Sequence, residues 1–369
     1  MTENLAPADR LDVMRTGPVA TARDGLDPIP DDRFARHALI EGWDQKRLGE
    51  ATVVVVGVGA LGNEVARILT MAGVGQLVLC DPDVVATSNL SRTVLFRPAD
   101  VGRLKAEAAA AALAELAPGV LVDARPVPLL SGVGLAELRD ADLVISCLDS
   151  RAARISLATR CTLVGAALLD GGTRSWGGEA RLYKPGGSCY GCWLTPALRA
   201  AQDDPHSCLD PDPVAPVGAS APVSALTGAW LAMFAIRLLF GWPVPRDPLA
   251  IDPTGAAAVG LAEHSARDPD CPLHETIPPE AISRLALTHE ATVEQLRQQL
   301  APDELAIGWT TAPPSDAEQV VLSAAAPHSR LRALGVAPGE ILTVVRPSQP
   351  DQLRFVELAT AATRSTNAG

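Results

Sequence analysis

An unbroken apolar run, Val53-Val54-Val55-Val56, leads directly into Gly57-Val58-Gly59-Ala60-Leu61-Gly62. A strand that ends in G-x-G-x-x-G and continues as a helix makes a tight turn. Its backbone N–H groups and the helix N-terminus face a phosphate. A second apolar run ends at Cys80, and Asp81 follows it, roughly 20 residues beyond the turn, where a carboxylate can take ribose hydroxyls. The pairing predicts a nucleotide without saying which. A tight strand-to-helix connection that binds nothing is the competing reading, and the matching acid argues against it.

The pattern around the turn extends it into a fold. Apolar runs at Leu77 to Cys80, Leu121 to Ala124 and Leu143 to Cys147 alternate with helical stretches at Leu61 to Met71 and Leu104 to Leu116. Such alternation reads as βαβ units in an α/β, doubly wound, Rossmann-like, mainly parallel sheet. A further helix is expected after Asp149, then strands around Ala167 to Asp170 and Glu179 to Tyr183 that turn antiparallel. A loop rich in Pro, Asp and His spans Pro196 to Pro222, longer than a passive connection requires. The almost wholly apolar stretch Val223 to Phe240 is interrupted by Gly228 and Arg237, and reads as a buried or dimer-facing helix, not a membrane span. Three regions are expected: a flexible arm over 1–30, the nucleotide-binding domain over 31–276 and a small α+β domain over 277–369. The last carries a capping-box pattern at Thr292 to Gln295 and strand-like runs at Ile341 to Val345 and Leu353 to Leu358. A ubiquitin-like β-grasp, with its helix between hairpins, is one candidate for it.

Composition narrows the function classes. The 369 residues are 47% hydrophobic and 20% charged, enough apolar side chain for a sizeable core. A formal charge of −12 and a sequence pI near 5.0 make a broad nucleic-acid or anionic-lipid footprint unfavourable, so any phosphate site must be local. Nucleic acid is therefore an unfavoured partner. No basic-then-apolar leader opens the chain, and a cytoplasmic protein without a membrane span is the expectation. Seven cysteines, two of them in C-x-x-C, point to metal or thiol chemistry before disulfides.

The loops beyond the second strand carry the chemistry: Asp81-Pro82-Asp83-Val84-Val85, Ser88-Asn89-Leu90-Ser91-Arg92 and Val101-Gly102-Arg103-Leu104-Lys105. A dinucleotide can rest its pyrophosphate on a helix N-terminus alone. A triphosphate carries about four negative charges that call for Arg, Lys or metal. Arg92 and Lys105 supply that charge, and Asp149, at the end of a strand on the same sheet edge, suits Mg²⁺. Taken singly, Arg92 and Lys105 read equally as surface charges and Asp149 as a helix N-cap; their joint spacing favours ATP. Independently, Cys189-Tyr190-Gly191-Cys192 and Cys271-Pro272-Leu273-His274 form two knuckles, which together complete a Cys₃His set suited to structural Zn²⁺. Cys80, Cys147 and Cys161 lie in apolar runs and read as core.

These ordered motifs, together with Arg33-Phe34-Ala35-Arg36 and Cys147-Leu148-Asp149-Ser150, resemble the HesA/MoeB/ThiF group of the ubiquitin-activating-enzyme superfamily over roughly Arg33 to His274. The resemblance implies an ATP–Mg²⁺ adenylyltransferase. Such an enzyme activates the C-terminal carboxylate of a small ubiquitin-like or sulfur-carrier protein, or of a ribosomal precursor peptide, and releases pyrophosphate. It implies that Gly57, Gly59, Ala60 and Gly62 cradle phosphate and that Asp81 holds the ribose. Ser88, Asn89, Arg92 and Lys105 would line the phosphates, Asp149 with Ser150 would serve the magnesium side, and Arg36 would reach the triphosphate of the partner in a homodimer. Cys208, in the long loop, corresponds to a cysteine that can accept the acyl group, although Asp203, Asp204 and Asp210 nearby oppose thiolate formation. The chain departs from the family at Ala60, where Gly is common, at Ser150, where Asn is usual, and at His274, where a fourth cysteine is usual. Three rival readings remain: a nicotinamide- or flavin-dependent oxidoreductase, a tRNA-modifying dehydratase using the same adenylate, and a binding module without turnover.

Overall fold

The computed structural model describes residues 32–174, 176–200, 218–244, 249–251, 259–260, 267–309 and 319–360. The chain forms two compact units, Met1–Trp43 and Asp44–Gly369. In the first, Phe34 stacks on His37 at 5.6 Å and His37 meets Trp43 at 4.4 Å, beside a 3-10 turn at His37–Leu39.

The second unit opens with α1 (Gln45–Glu50), β1 (Thr52–Val56), α2 (Ala60–Ala72), β2 (Gln76–Cys80), α3 (Lys105–Leu116) and β3 (Leu121–Arg125). It continues with α4 (Leu129–Gly132), α5 (Leu135–Asp140), β4 (Leu143–Ser146), α6 (Arg151–Leu163), β5 (Leu168–Arg174) and β6 (Gly177–Tyr183). Then come α7 (Pro196–Ala200), α8 (Ala221–Leu239), β7 (Leu249–Ile251) and β8 (Val259–Gly260). These strands make one eight-stranded sheet in the order β3-β2-β1-β4-β5-β6-β7-β8. It is parallel from β3 to β5 and antiparallel from β5 to β8.

The β-branched run of β1 suits a central strand buried on both faces. Val54 and Val56 pack with Val78 and Val144 against Leu138 of α5 and Leu157 and Cys161 of α6. Val53 and Val55 alternate to the other face, where α2 contacts the strand and α8 packs along α2. Cys80, Cys147 and Cys161 are buried, as their apolar runs predict.

A second sheet follows, built from β9 (Ile282–Leu285), β10 (Leu305–Trp309), β11 (Gln319–Val321), β12 (Ile341–Arg346) and β13 (Gln349–Leu358) in the order β11-β10-β12-β13-β9. Its only helix of α type among the described residues is α9 (Val293–Arg297), opened by the predicted capping box: Thr292 Oγ1 accepts from the Gln295 N–H and the Gln295 side chain accepts from the Thr292 N–H. The β-grasp order is not what forms. A single strand precedes α9, and that strand pairs in parallel with the last one. The sheet has its own core around Val293, Leu296, Leu322, Leu342 and Val356.

Contacts between the two sheets' layers are specific. Arg160 of α6 pairs with Glu340 at 2.7 Å, Arg139 of α5 with Glu357 at 2.7 Å, and the Ala136 N–H donates to the Gly339 carbonyl at 2.9 Å. One other expectation changes. The stretch 196–222 is helical at both ends, in α7 and from Ala221 onward. Helix α8 is the one helix among the described residues long and apolar enough to cross a membrane, and half of that stretch is buried inside the fold.

Candidate nucleotide edge and cysteine–histidine knuckle

Strand β1 ends between β2 and β4, where chain order reverses across the sheet, the place such folds leave a crevice for ligands. Gly57 begins the turn with φ +91°, and a Cβ there would lie 2.6 Å from the Cys147 carbonyl oxygen. A Cβ at Gly62 would collide with the Gly57 carbonyl, so both glycines are sterically required. Gly59 is the N-cap residue of α2, Ala60 is its first residue, and the space beside the Gly59 Cα is open.

Asp81 is 6% exposed and grips the turn from the neighbouring strand. Its Oδ2 accepts from the Val58 N–H at 2.6 Å and its Oδ1 from the Asp83 N–H at 2.9 Å. Burial pushes its carboxyl up; the Lys105 ammonium, then the two N–H groups, oppose that. Lys105, the first residue of α3, reaches Asp83 with Nζ–Oδ2 at 2.7 Å, and its N–H donates to the Asp83 carbonyl at 2.8 Å. The glycine turn, Asp81 and Lys105 are therefore joined by one chain of contacts.

Ser88, Asn89 and Arg92 stand on and just after the 3-10 turn Thr87–Ser91. Asn89 Oδ1 accepts from the Ala86 N–H at 2.9 Å, and Arg92 Nη1 donates to the Ser88 carbonyl at 2.7 Å. Asn63, which no motif singled out, ties this loop to the turn. Fully buried, it donates to the Val58 carbonyl at 2.8 Å and accepts from the Leu95 N–H at 3.0 Å. The signal available in the sequence was an Asn inside an apolar helix face.

Asp149 is exposed beyond the end of β4, whose next residue, Cys147, backs onto Gly57. Ser150 is the N-cap of α6, its Oγ accepting from the Ala153 N–H at 3.1 Å, so its described contact is to its own helix. Arg36 is exposed in the first unit, as the N-cap residue of the 37–39 turn. Cys208 lies outside the described residues.

The knuckles converge as the spacing predicts. Donor atoms of Cys189, Cys192, Cys271 and His274 all lie within 4.8 Å of one another. The sulfur pairs Cys189–Cys192 and Cys189–Cys271 are 3.8 and 3.7 Å apart, close to the roughly 3.8 Å edge of a tetrahedron with 2.3 Å metal–sulfur bonds. Cys192 Sγ and His274 Nε2 are 3.2 Å apart. Burial, then the neighbouring Cys192 and Cys271, push the Cys189 thiol up to about 12. Arg267 Nε donates to His274 Nδ1 at 3.0 Å. A metal on Nε2 places the imidazole proton on Nδ1, so Arg267 must then give way. A cavity of about 660 Å³ lies elsewhere, between α6, the 272–277 segment and the second sheet; no candidate residue lines it.

A doubly wound sheet with a glycine turn at its switch point, gripped by a buried acid and joined to a lysine, defines a nucleotide-binding α/β enzyme. The sequence pattern of the ThiF family matches residues 32–273, and the chain belongs to that family. It is 33% identical to the molybdopterin-synthase adenylyltransferase of Escherichia coli strain K12, over 58% of this chain and 84% of that protein. It is 32% identical to the sulfur carrier protein adenylyltransferase of Thermus thermophilus, over 66% of this chain and 90% of that one. Its fold matches the microcin C7 biosynthetic enzyme MccB in complex with N-formylated MccA, with a TM-score of 0.54, 23% identity, and coverage of 67% of this chain and 77% of that one. The chain is an adenylyltransferase, and that class of activity implies ATP.

Proposed function

We propose that this enzyme adenylates the C-terminal carboxylate of a small ubiquitin-like or sulfur-carrier protein, or of a ribosomal precursor peptide, using ATP–Mg²⁺ and releasing pyrophosphate. The observation that carries this is the continuous link from the glycine turn through Asp81 and Asp83 to Lys105. A cation linked to the glycine turn supports a triphosphate over a dinucleotide, which would need none.

The carboxylate is already the nucleophile at neutral pH, so the reaction needs no general base. One carboxylate oxygen attacks the α-phosphorus, the bond from that phosphorus to the bridging oxygen breaks, and its electrons leave on pyrophosphate. The barrier lies in bringing two anions together and in stabilising the charge on the α-phosphate and the leaving group. In this reading the turn N–H groups of Gly59 and Ala60 take the phosphate, with Gly57 and Gly62 keeping the backbone close. Asp81 orients the ribose with the lone pairs its backbone bonds leave, while Ser88, Asn89, Arg92 and Lys105 face the phosphates. Lys105 exchanges Asp83 for a phosphate oxygen. Asp149, exposed beyond the end of β4 and followed by Ser150, would hold Mg²⁺, which when bound would supply neutralisation of phosphate charge. Arg36 acts across a homodimer on the partner's nucleotide, and Cys208 is the candidate acyl acceptor.

The Cys₃His set fits Zn²⁺ in a structural role: four donors within 4.8 Å of one another would fill a tetrahedral shell and leave no position for water. We assign 31–276 to adenylation and 277–369 to a small C-terminal α+β domain. Cytoplasmic location is part of the same reading. Incubating the purified protein with ATP, Mg²⁺ and candidate carrier proteins or peptides, and following isotope exchange from pyrophosphate into ATP, tests it. Exchange that requires a free C-terminal carboxylate supports the proposal. Absence of carboxylate-dependent exchange across the carriers, or full activity of Lys105→Ala and Asp149→Ala, overturns it.

A further inference from the structure

Arg154 is only 1% exposed and is among the largest fully buried side chains of the described residues. Its Nε and Nη2 both donate to the Leu148 carbonyl, at 3.0 and 2.8 Å, its Nη1 pairs with Asp170 Oδ2 at 2.8 Å, and its Nη2 also reaches the Gly171 carbonyl at 2.8 Å. Leu148 directly precedes Asp149. On the other side, the Arg154 N–H donates to the Ser150 carbonyl at 3.1 Å. The residue before Asp149 is thus held by the Arg154 side chain, while the residue after it is held by the first main-chain bond of α6, which any residue at 154 would make. A guanidinium buried this deeply needs its charge paired and its donors satisfied, and the Leu148 carbonyl takes two of those donors.

The same arginine touches the knuckle. Its guanidinium carbon lies 5.9 Å from the ring centre of Tyr190, between the two cysteines of the C-x-x-C pair. Arg181, opposite Asp170 on β6, sits 3.3 Å from the ring centre of Trp193, the residue after Cys192. The aromatic side chains of the knuckle therefore cover an Arg154–Asp170–Arg181 cluster.

We infer that Arg154 is a positioning residue that sets the place of the Asp149 segment, and that Tyr190 makes this setting depend on an intact Cys₃His knuckle. The inference rests on the proposed reading of Asp149 as the magnesium carboxylate. Outer groups that orient metal ligands commonly change metal affinity by about 10- to 100-fold when lost.

The test uses the full chain. Arg154→Met alone strands the Asp170 charge and endangers folding, so it is paired with Asp170→Asn, which removes both charges together. For this double variant, for Arg154→Lys, for Tyr190→Leu and for Asp149→Asn, three quantities are measured: half-saturating Mg²⁺ in pyrophosphate exchange, amide hydrogen exchange over 148–150, and zinc content. The double variant is expected to fold and keep its zinc, to need about ten-fold more Mg²⁺ and to exchange faster at 148–150. Arg154→Lys is expected to fall between it and the parent. Tyr190→Leu, still holding zinc, is expected to speed exchange at 148–150, as does stripping zinc from the parent. A folded double variant with parental magnesium requirement and parental exchange overturns the positioning role. Parental exchange in Tyr190→Leu overturns the coupling. If Asp149→Asn alone leaves the magnesium requirement unchanged, the reading of Asp149 fails, and the exchange data still decide whether Arg154 holds the segment.

Discussion

The nucleotide edge and the cysteine–histidine knuckle are built in opposite ways. At the edge, main chain does the positioning: Gly57 and Gly62 let backbone approach backbone, and Asp81 and Asn63 are bound to main-chain groups. At the knuckle, side chains do it: three sulfurs and an imidazole converge, and aromatic rings lie on buried guanidinium groups. A backbone cradle fails when an atom is added. A side-chain cluster fails when a donor is removed.

The largest effect should come from adding a methyl at the edge. Gly62→Ala is expected to cut pyrophosphate exchange by more than about 100-fold, because the new Cβ displaces the Gly57 carbonyl and misplaces the turn N–H groups. Gly59→Ala, with open space at its Cβ, should keep the parental thermal midpoint; if both alanine variants melt alike, the contrast is lost. Removing charge without touching the backbone comes next. Lys105→Ala should lower exchange by about 30-fold and the thermal midpoint slightly, since the buried Asp81 carboxyl loses the ammonium that opposes its desolvation.

Donor removal at the knuckle has a different signature. Cys271→Ser should empty the metal site on elemental analysis and lower the thermal midpoint by about 5 °C, while exchange at low temperature stays within about five-fold of the parent. Equal metal content in variant and parent would break the comparison on that side.

The smallest effect lies in the second sheet. Arg354, with Arg346, holds the Glu304 carboxyl below the usual carboxylate range. Its stabilising contribution is complete above the unfolded value near pH 4.3 and is lost as the pH falls through the lower folded value. Acid melts should therefore show Glu304→Gln to be less stable than the parent at pH 6 and converging on it below about pH 4.

The parallel half of the first sheet was legible because each strand and crossover carries a local signal. The valine run, the glycine turn and the alanine-rich stretch before Leu116 each specify their element without reference to distant residues. The Cys₃His set was legible for a related reason, since a tight knuckle brings two donors together over four residues. What the sequence hid is long-range. Asn63 matters because Leu95, 32 positions away, needs its oxygen. Arg154 reads as one more charge on a helix until Leu148 and Asp170 are seen around it. The second sheet was half-read for the same reason. Its first strand is four residues long and pairs with a strand 73 positions later, and no local pattern announces such a partner.

The pairs Arg160–Glu340 and Arg139–Glu357 have a practical consequence for anyone cutting this chain. Trimming after the family-like region would leave the Arg160 guanidinium without its carboxylate and expose Leu135, whose apolar partners Ile277 and Ile341 would be lost. A shortened protein that precipitates on purification would then report a broken seam, and its silence in an assay would say nothing about the glycine turn.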